Sequence, residues 1–349
     1  MSHGGNVYKI AKSMGIAAGE VLDFSASINP LGMPKGIRPE LNRSNGSLLH
    51  YPDPDATGFA QAAGEHYGID IKNIMPGNGS TELIYLLPRA LKPKRVLIPA
   101  PTFSEYERAS LIAGARVTSF KMNADDAFMP EVKAFCGAMR GMDMAFLCNP
   151  GNPSGSVLER QDIISIIKAA KGERCVLVVD EAFMDFCPEH SVLDLNSPWL
   201  IVLRSLTKFY GLAGLRAGFL KAPGVIMKKL REHKEPWSVN ILAERAAVIA
   251  LSDTEFIKRT HAYINKERAV LAKGLGSFGF KVYPSDVNYL LIEKPEASTL
   301  ARALLEQGIA VRECSNFKGL GTRFLRIAVR SRKENMRLMN VISELMEAS

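Results

Sequence analysis

Short β-branched or apolar runs at Arg95–Pro99, Arg116–Phe120, Met144–Cys148, Cys175–Val179, Leu200–Arg204 and Arg216–Leu220 alternate with amphipathic stretches such as Ser80–Leu91, Phe103–Ala113 and Arg160–Ala170. A chain built this way can bury both kinds of element only in layers, with helices against the faces of a largely parallel sheet. Most of the runs are apolar throughout, as strands covered on both faces are. From about Pro236 the rhythm changes to long helical periods, Asn240–Leu251 and Thr254–Leu275. Strands near Val287–Ile292 and Phe324–Val329 and a closing helix Lys333–Met346 follow. The expectation is an α/β protein with a large domain over residues 46–238 and a smaller α+β domain over 239–349. Residues 1–45 hold turns such as Asn29-Pro30-Leu31-Gly32 and little periodicity. They are expected to form an arm rather than core.

At 349 residues the chain is too long for one compact core. Its 47% apolar and 23% charged residues are the balance of a globular protein. No apolar run approaches the roughly 20 residues that cross a bilayer, and the start Met1-Ser2-His3-Gly4-Gly5 lacks a signal peptide's apolar stretch. The cytoplasm is the expected compartment, with no membrane partner. Cys136, Cys148, Cys175, Cys187 and Cys314 are widely spaced, without a C-x-x-C pair or a histidine at zinc-ligand spacing. Reduced thiols are expected, and no metal. The net charge of +8 is scattered, and its densest run, Lys228, Lys229, Arg231, His233 and Lys234, reads as one solvated helix face. No nucleic-acid partner is expected; the excess charge suits attraction of small anionic substrates.

The chemistry concentrates at the ends of the apolar runs. Ser205-Leu206-Thr207-Lys208 through Gly214-Leu215-Arg216 follows one of them and gathers hydroxyls, an amine and a guanidinium. A lysine leaving an apolar strand is partly desolvated, which lowers its pKa and frees the amine to attack an aldehyde; the hydroxyls and Arg216 could grip a phosphate. Asp180 in Asp180-Glu181-Ala182-Phe183 stands at the carboxyl end of another run, the edge where open α/β sheets bind ligands. Gly77-Asn78-Gly79-Ser80-Thr81-Glu82 is a strand-to-helix turn offering free N–H groups, without the spacing of a P-loop or a dinucleotide fingerprint. Asn149-Pro150-Gly151-Asn152-Pro153 is a rigid turn that would aim an amide into the same cleft. Each motif also has an ordinary explanation, as a surface lysine, a helix-capping Asp, a Ser N-cap or a plain turn. Their order and combination make those explanations improbable together.

In motif order, over nearly its whole length, the sequence resembles the aspartate aminotransferase superfamily, the fold-type I pyridoxal 5'-phosphate (PLP) enzymes. The resemblance implies a large domain with a mainly parallel seven-stranded sheet, a smaller C-terminal domain and an N-terminal arm contributing to the latter and to the active site. It makes Lys208 the Schiff-base lysine, pairs Asp180 with the pyridine nitrogen, and sets Asn152 on the ring's phenolic oxygen and Phe103 on the ring face. It gives the cofactor phosphate to Gly79, Ser80, Thr81, Ser205, Thr207 and Arg216, with Tyr51 of Tyr51-Pro52-Asp53-Pro54 from a neighbouring subunit. A shared site implies a homodimer. Arg312 and Arg326 match the family's substrate-anion arginines, suited to bidentate recognition of carboxylate or phosphate. His3, Asn29 and Asn152 complete the implied substrate set.

Within the superfamily the chain is similar to the histidinol-phosphate aminotransferases and to the threonine-phosphate decarboxylases of cobalamin biosynthesis. The leader His3-Gly4-Gly5-Asn6, then Asp23-Phe24-Ser25-Ala26-Ser27-Ile28-Asn29-Pro30-Leu31-Gly32, resembles the decarboxylases. Phe183 stands where the aminotransferase pattern has a tyrosine whose phenol donates to the ring oxygen. The expected reaction is decarboxylation of L-threonine O-3-phosphate to (R)-1-amino-2-propanol O-2-phosphate. The alternatives are a histidinol-phosphate-type aminotransferase and a non-catalytic binding or regulatory protein that retains the fold.

Overall fold

The computed structural model describes residues 4–347. At its centre lies a seven-stranded sheet. Its strands are β1 (Ile74–Asn78), β2 (Arg95–Ala100), β3 (Arg116–Lys121), β4 (Met144–Cys148), β5 (Val176–Asp180), β6 (Leu200–Ser205) and β7 (Ala217–Lys221). In space their order is β1-β7-β6-β5-β4-β2-β3. β7 runs antiparallel to β1 and β6, and all other neighbours pair in parallel. The strands expected from the apolar runs are present, with ends moved by no more than one residue.

The continuous apolar runs are explained by a core on each face. Successive side chains of a strand point to opposite faces, so Ala145 and Leu147 enter one apolar cluster while Met144 and Phe146 enter the other. β5 and β6 divide in the same way: Leu177, Val179 and Val202 go to the first cluster, Val178, Ile201 and Leu203 to the second. β1 carries Pro76 opposite Phe219, and its place at the sheet edge is where a residue without a ladder donor is tolerated. From β2 the chain proceeds outward to β3, and from β4 it proceeds the other way through β5 to β6. The carboxyl ends of β2 and β4 therefore flank a topological switch point, where such sheets open a crevice.

The C-terminal part forms a four-stranded sheet of Arg312–Glu313, Phe324–Ala328, Tyr289–Glu293 and Lys281–Val282, with antiparallel pairing. Helices Thr254–Ser277, Ala297–Glu306 and Arg332–Glu347 accompany it. Helix Ile241–Ser252 packs against Thr57–Tyr67 and Ile37–Arg43. The larger apolar cluster runs without interruption from Phe24 to Ile342.

Residues 4–45 do more than form an arm. Leu22–Asp23 pairs in parallel with Ile309–Ala310, and Phe24 and Ile37 are fully buried. Single anchors separated by turns leave no periodicity to read, which is why the sequence pattern hides them. The basic run is a solvated helix face only in its first part: helix Gly224–Arg231 buries Ile226, Met227 and Leu230 while Lys228, Lys229 and Arg231 are exposed. His233 and Lys234 lie beyond the helix and are partly buried, with Lys234 Nζ donating to Ser238 Oγ at 2.6 Å. All five cysteines are free thiols. Among the described residues no helix is long and apolar enough to cross a membrane, and no cluster of residues suited to holding a metal occurs.

Candidate active site

A cavity of about 470 Å³ opens at the switch point, within the range of small-molecule sites. β6 ends at Ser205, whose hydroxyl caps the short helix Leu206–Phe209 that carries Lys208. Lys208 lines the cavity and is partly buried. Desolvation first, then the positive charges of Arg326 and Arg216, lowers its amine pKa to about 8. Among the described residues no hydrogen bond or ion pair holds that amine, so it can attack a carbonyl carbon.

Two strands away from β7, Asp180 ends β5 and is 3% exposed. Its Oδ1 accepts from the Ala182 amide at 2.9 Å, and its Oδ2 accepts from the Tyr106 hydroxyl at 2.6 Å. Burial pushes its pKa up, while those two hydrogen bonds pull it back. No cation pairs with it among the described residues. The helix-cap alternative is thus half right: one oxygen does close a local turn, but the carboxylate also lines the cavity.

The opposite corner is built for an anion. Gly79, at φ +71°, begins helix Gly79–Leu91, and its amide donates to the Arg216 carbonyl at 2.9 Å. A Cβ at Gly79 would stand 2.6 Å from Arg216 Nη2, so only glycine lets the guanidinium lie against this turn. Ser80, Thr81, Ser205, Thr207 and Arg216 line the cavity here, with the Ser205 and Thr207 hydroxyls 2.8 Å apart. Helix N-terminal amides, hydroxyls and a guanidinium together form a phosphate-type site.

Phe103, Asn152 and Phe183 also line the cavity. Phe183 meets Tyr289 edge to face at 5.0 Å. Arg312 and Arg326 lie directly opposite each other on neighbouring strands and both face the cavity. Arg326 donates through Nη1 to Asn152 Oδ1 at 2.6 Å and through Nη2 to the Ser25 carbonyl at 2.9 Å. Arg312 donates to Asn316 Oδ1 at 2.8 Å and packs over the Phe317 ring.

Two expected residues lie elsewhere in the structure. Asn29 is buried outside the cavity: its Nδ2 donates to the Phe209 carbonyl at 2.7 Å and to Thr260 Oγ1 at 2.9 Å, and its Oδ1 accepts from the Leu31 amide at 3.0 Å. Its own backbone amide donates to the Lys208 carbonyl at 3.0 Å, so in this structure it clamps the lysine loop rather than reaching a ligand. Tyr51 is 81% exposed, with its ring 5.0 Å from Trp237. His3 lies outside the described residues. The leader residues Gly4 and Ser25 to Ser27 border the cavity, as an arm contributing to the active site would, and so does Tyr106, which the sequence pattern gave no reason to place there. Tyr106 lies in the first turn of helix Glu105–Ile112, and Phe103, just before that helix, meets its ring edge to face at 5.7 Å.

The fold and the placement of these groups define a class, the fold-type I pyridoxal-phosphate enzymes. Residues 15–342 match the model of the aminotransferase class I and II family, and the chain belongs to that family. Its cofactor is pyridoxal 5'-phosphate. The chain is 36% identical over 351 residues to the threonine-phosphate decarboxylase of Salmonella typhimurium, covering 99% of this chain and 96% of that one. It is 39% identical over 301 residues to a histidinol-phosphate aminotransferase of Caldanaerobacter subterraneus subsp. tengcongensis, covering 85% and 84%. The crystal structure of L-threonine-O-3-phosphate decarboxylase from Porphyromonas gingivalis superposes with a TM-score of 0.84 at 26% identity, over 94% of this chain and 100% of that one.

Proposed function

We propose that this chain decarboxylates L-threonine O-3-phosphate to (R)-1-amino-2-propanol O-2-phosphate, a precursor for cobalamin biosynthesis. The observation that carries the reading is that Gly4 and Ser25 to Ser27 line the same cavity as Lys208, Arg312 and Arg326. That leader is the segment whose sequence resembles the decarboxylases. Likeness to the Salmonella decarboxylase over 99% of the chain, against 85% for the aminotransferase, supports it. The higher identity to the aminotransferase, 39%, keeps amino transfer as the second reading.

The cavity fits the cofactor on its own chemistry. Asp180 is a buried carboxylate lacking a cation among the described residues, which a protonated pyridine nitrogen would provide. Gly79 keeps the helix N-terminus and Arg216 open to a phosphate. We assign the phosphate to Gly79, Ser80, Thr81, Ser205, Thr207 and Arg216, the ring face to Phe103, the ring nitrogen to Asp180 and the aldehyde carbon to Lys208. With Asn152 Oδ1 engaged by Arg326, its Nδ2 is the atom left to donate to the ring oxygen. Tyr51, remote from its own cavity, is assigned to the phosphate of a second copy, which makes the working unit a homodimer with shared sites. When bound, the cofactor supplies an electron sink for the pair released at the substrate's Cα.

The chain's own residues choose which bond gives up that pair. Arg312 and Arg326, held in register on two strands, grip the substrate's phosphate and carboxylate and so fix the rotation about Cα. Lys208 Nζ, with a pKa of about 8, carries a proton near neutral pH and is the group we assign to deliver it to Cα. Phe183 offers no hydroxyl to the ring oxygen, leaving that position to Asn152.

Carboxyl-labelled threonine phosphate tests the assignment in PLP-loaded protein with no keto acid present. Trapped labelled carbon dioxide is the expected result. Amino transfer from histidinol phosphate to 2-oxoglutarate without carbon dioxide release would establish the aminotransferase instead. A protein that takes up no PLP would establish the non-catalytic alternative.

A further inference from the structure

We propose that Tyr106 is a positioning residue for Asp180, fixing the direction of that carboxylate and holding it ionised in a buried site. The inference rests on the reading that Asp180 faces the cofactor ring nitrogen. Helix Glu105–Ile112 starts just beyond the end of β2, so its first turn brings Tyr106 over the ends of β4 and β5. There its hydroxyl donates to Asp180 Oδ2 at 2.6 Å.

The ring is locked from both sides. It stacks on Phe146 of β4 at 4.9 Å and 12°, and meets Phe103 edge to face at 5.7 Å and 81°. One residue thereby touches both groups assigned to the cofactor ring, the one at its nitrogen and the one on its face. Tyr106 is 1% exposed, so a lost hydroxyl would not be replaced by bulk water.

Other groups near Asp180 do not share the task. Besides Tyr106, the titratable groups that face it are Cys148 from β4 and Tyr289 from the C-terminal sheet. Their donors are spent elsewhere, Cys148 Sγ on the Pro150 carbonyl and the Tyr289 hydroxyl on the Gly151 carbonyl. Tyr106 is therefore the only side-chain hydrogen-bond donor to Asp180 among the described residues. Burial drives this carboxyl towards its neutral form, and a neutral acid cannot hold a protonated nitrogen.

The test is the affinity of apo-protein for PLP as a function of pH in Tyr106→Phe, with Asp180→Asn as reference and apo thermal unfolding alongside. The Phe variant keeps the ring and its stacking, so its apo unfolding is expected to stay within a few degrees of the parent. PLP binding near neutral pH should weaken by about tenfold, the size of one charge-assisted hydrogen bond. The pH below which binding fails should rise by about one unit, because Asp180 then takes a proton earlier on acidification. Tyr106→His, which retains a ring donor, should recover part of the loss. Unchanged affinity and midpoint in Tyr106→Phe, with Asp180→Asn weakened, would overturn the role of Tyr106 alone. Unchanged affinity in Asp180→Asn would remove the assignment of Asp180 and this proposal with it. No substrate enters the measurement, so the role of Tyr106 stands or falls independently of the decarboxylase reading.

Discussion

Replacing Gly79 by alanine separates the phosphate corner from the rest of the site. The residue sits at φ +71°, a conformation that raises the energy of an L side chain by about 1–2 kcal/mol. The stiffer unfolded chain returns roughly 0.4–1 kcal/mol of that. The new Cβ would lie 2.6 Å from Arg216 Nη2 and 3.1 Å from its Cζ, so the guanidinium must swing away. It would give up a 3.2 Å hydrogen bond to the Ala213 carbonyl, worth about 1 kcal/mol. Apo-protein should therefore lose only about 1–2.5 kcal/mol of stability. The displaced guanidinium can no longer meet a phosphate at the helix N-terminus, and a charge-assisted bond of that kind contributes about 1.5–3 kcal/mol. PLP affinity should fall by about 10- to 100-fold. Pyridoxal, which lacks the phosphate, is the control: its affinity should scarcely move, so the preference for PLP over pyridoxal collapses. Equilibrium dialysis of apo-protein against both ligands reads this directly. If PLP and pyridoxal lose affinity equally, or neither does, the phosphate does not lie against this turn and the assignment built on Gly79 and Arg216 fails.

Lys208→Met tests the buried amine without any ligand. An amine with a folded pKa of about 8 against an ordinary value of 10.5 burdens the folded state below pH 8, and the burden fades as pH rises through 10.5. Apo Lys208→Met should thus unfold at higher denaturant than the parent at pH 7, by no more than about 3 kcal/mol, with the gap closing towards pH 10.5; parallel stability curves across that range would contradict a depressed pKa. Arg204→Met removes the cation that stands 2.8 Å from Asp185 and 3.1 Å from Glu181, leaving two carboxylates in a buried site. A loss of about 3–5 kcal/mol is expected, and a smaller one for Glu181→Gln, which leaves Arg204 on Asp185. Burial already raises the Glu181 pKa, so the Arg204→Met deficit should shrink as pH falls and that carboxyl is protonated. Denaturant midpoints across pH in which Glu181→Gln is the worse variant would reverse this ranking.

What was legible in the sequence follows from what repeats in it. Buried parallel strands are uniform apolar runs, and their ends could be placed to within a residue because polar, glycine or proline residues follow abruptly, as Asn149 follows Cys148 and Glu181 follows Asp180. β1 escaped that pattern because Pro76 and Gly77 interrupt it, and only its edge position makes them acceptable. The N-terminal segment escaped because its contribution is a two-residue strand and isolated anchors such as Phe24. Side chains on strand ends were found since chemistry and local order coincide there. Tyr106 was not, because its partner Asp180 is distant in sequence and only the sheet order brings helix and strand end together. Asn29 shows the converse: its leader motif reads as ligand-binding, while in this structure the side chain is consumed by the Phe209 carbonyl and Thr260.

The pair Asp180-Glu181 shows how one pleat sorts like chemistry into unlike tasks. Two adjacent carboxylates at the end of β5 project to opposite sides, as neighbours on a strand must. Glu181 meets Arg204 of β6 at 3.1 Å and accepts from the Ser191 hydroxyl at 2.7 Å and the Val192 amide at 2.7 Å, so its charge is compensated inside the protein. Asp180 receives only neutral donors, Tyr106 and the Ala182 amide, so its charge remains to be balanced by whatever enters the cavity. Arg204 and Ser205 repeat the division on β6: the guanidinium joins Glu181 on one side while the hydroxyl lines the cavity on the other. The ion pair ties together the two strands whose ends carry Asp180 and the Lys208 helix. That contact, which never touches a ligand, reinforces the backbone pairing that holds the two strand ends side by side. A register slip of one residue in either strand would exchange the paired carboxylate for the unpaired one and bury the site's charge against the core.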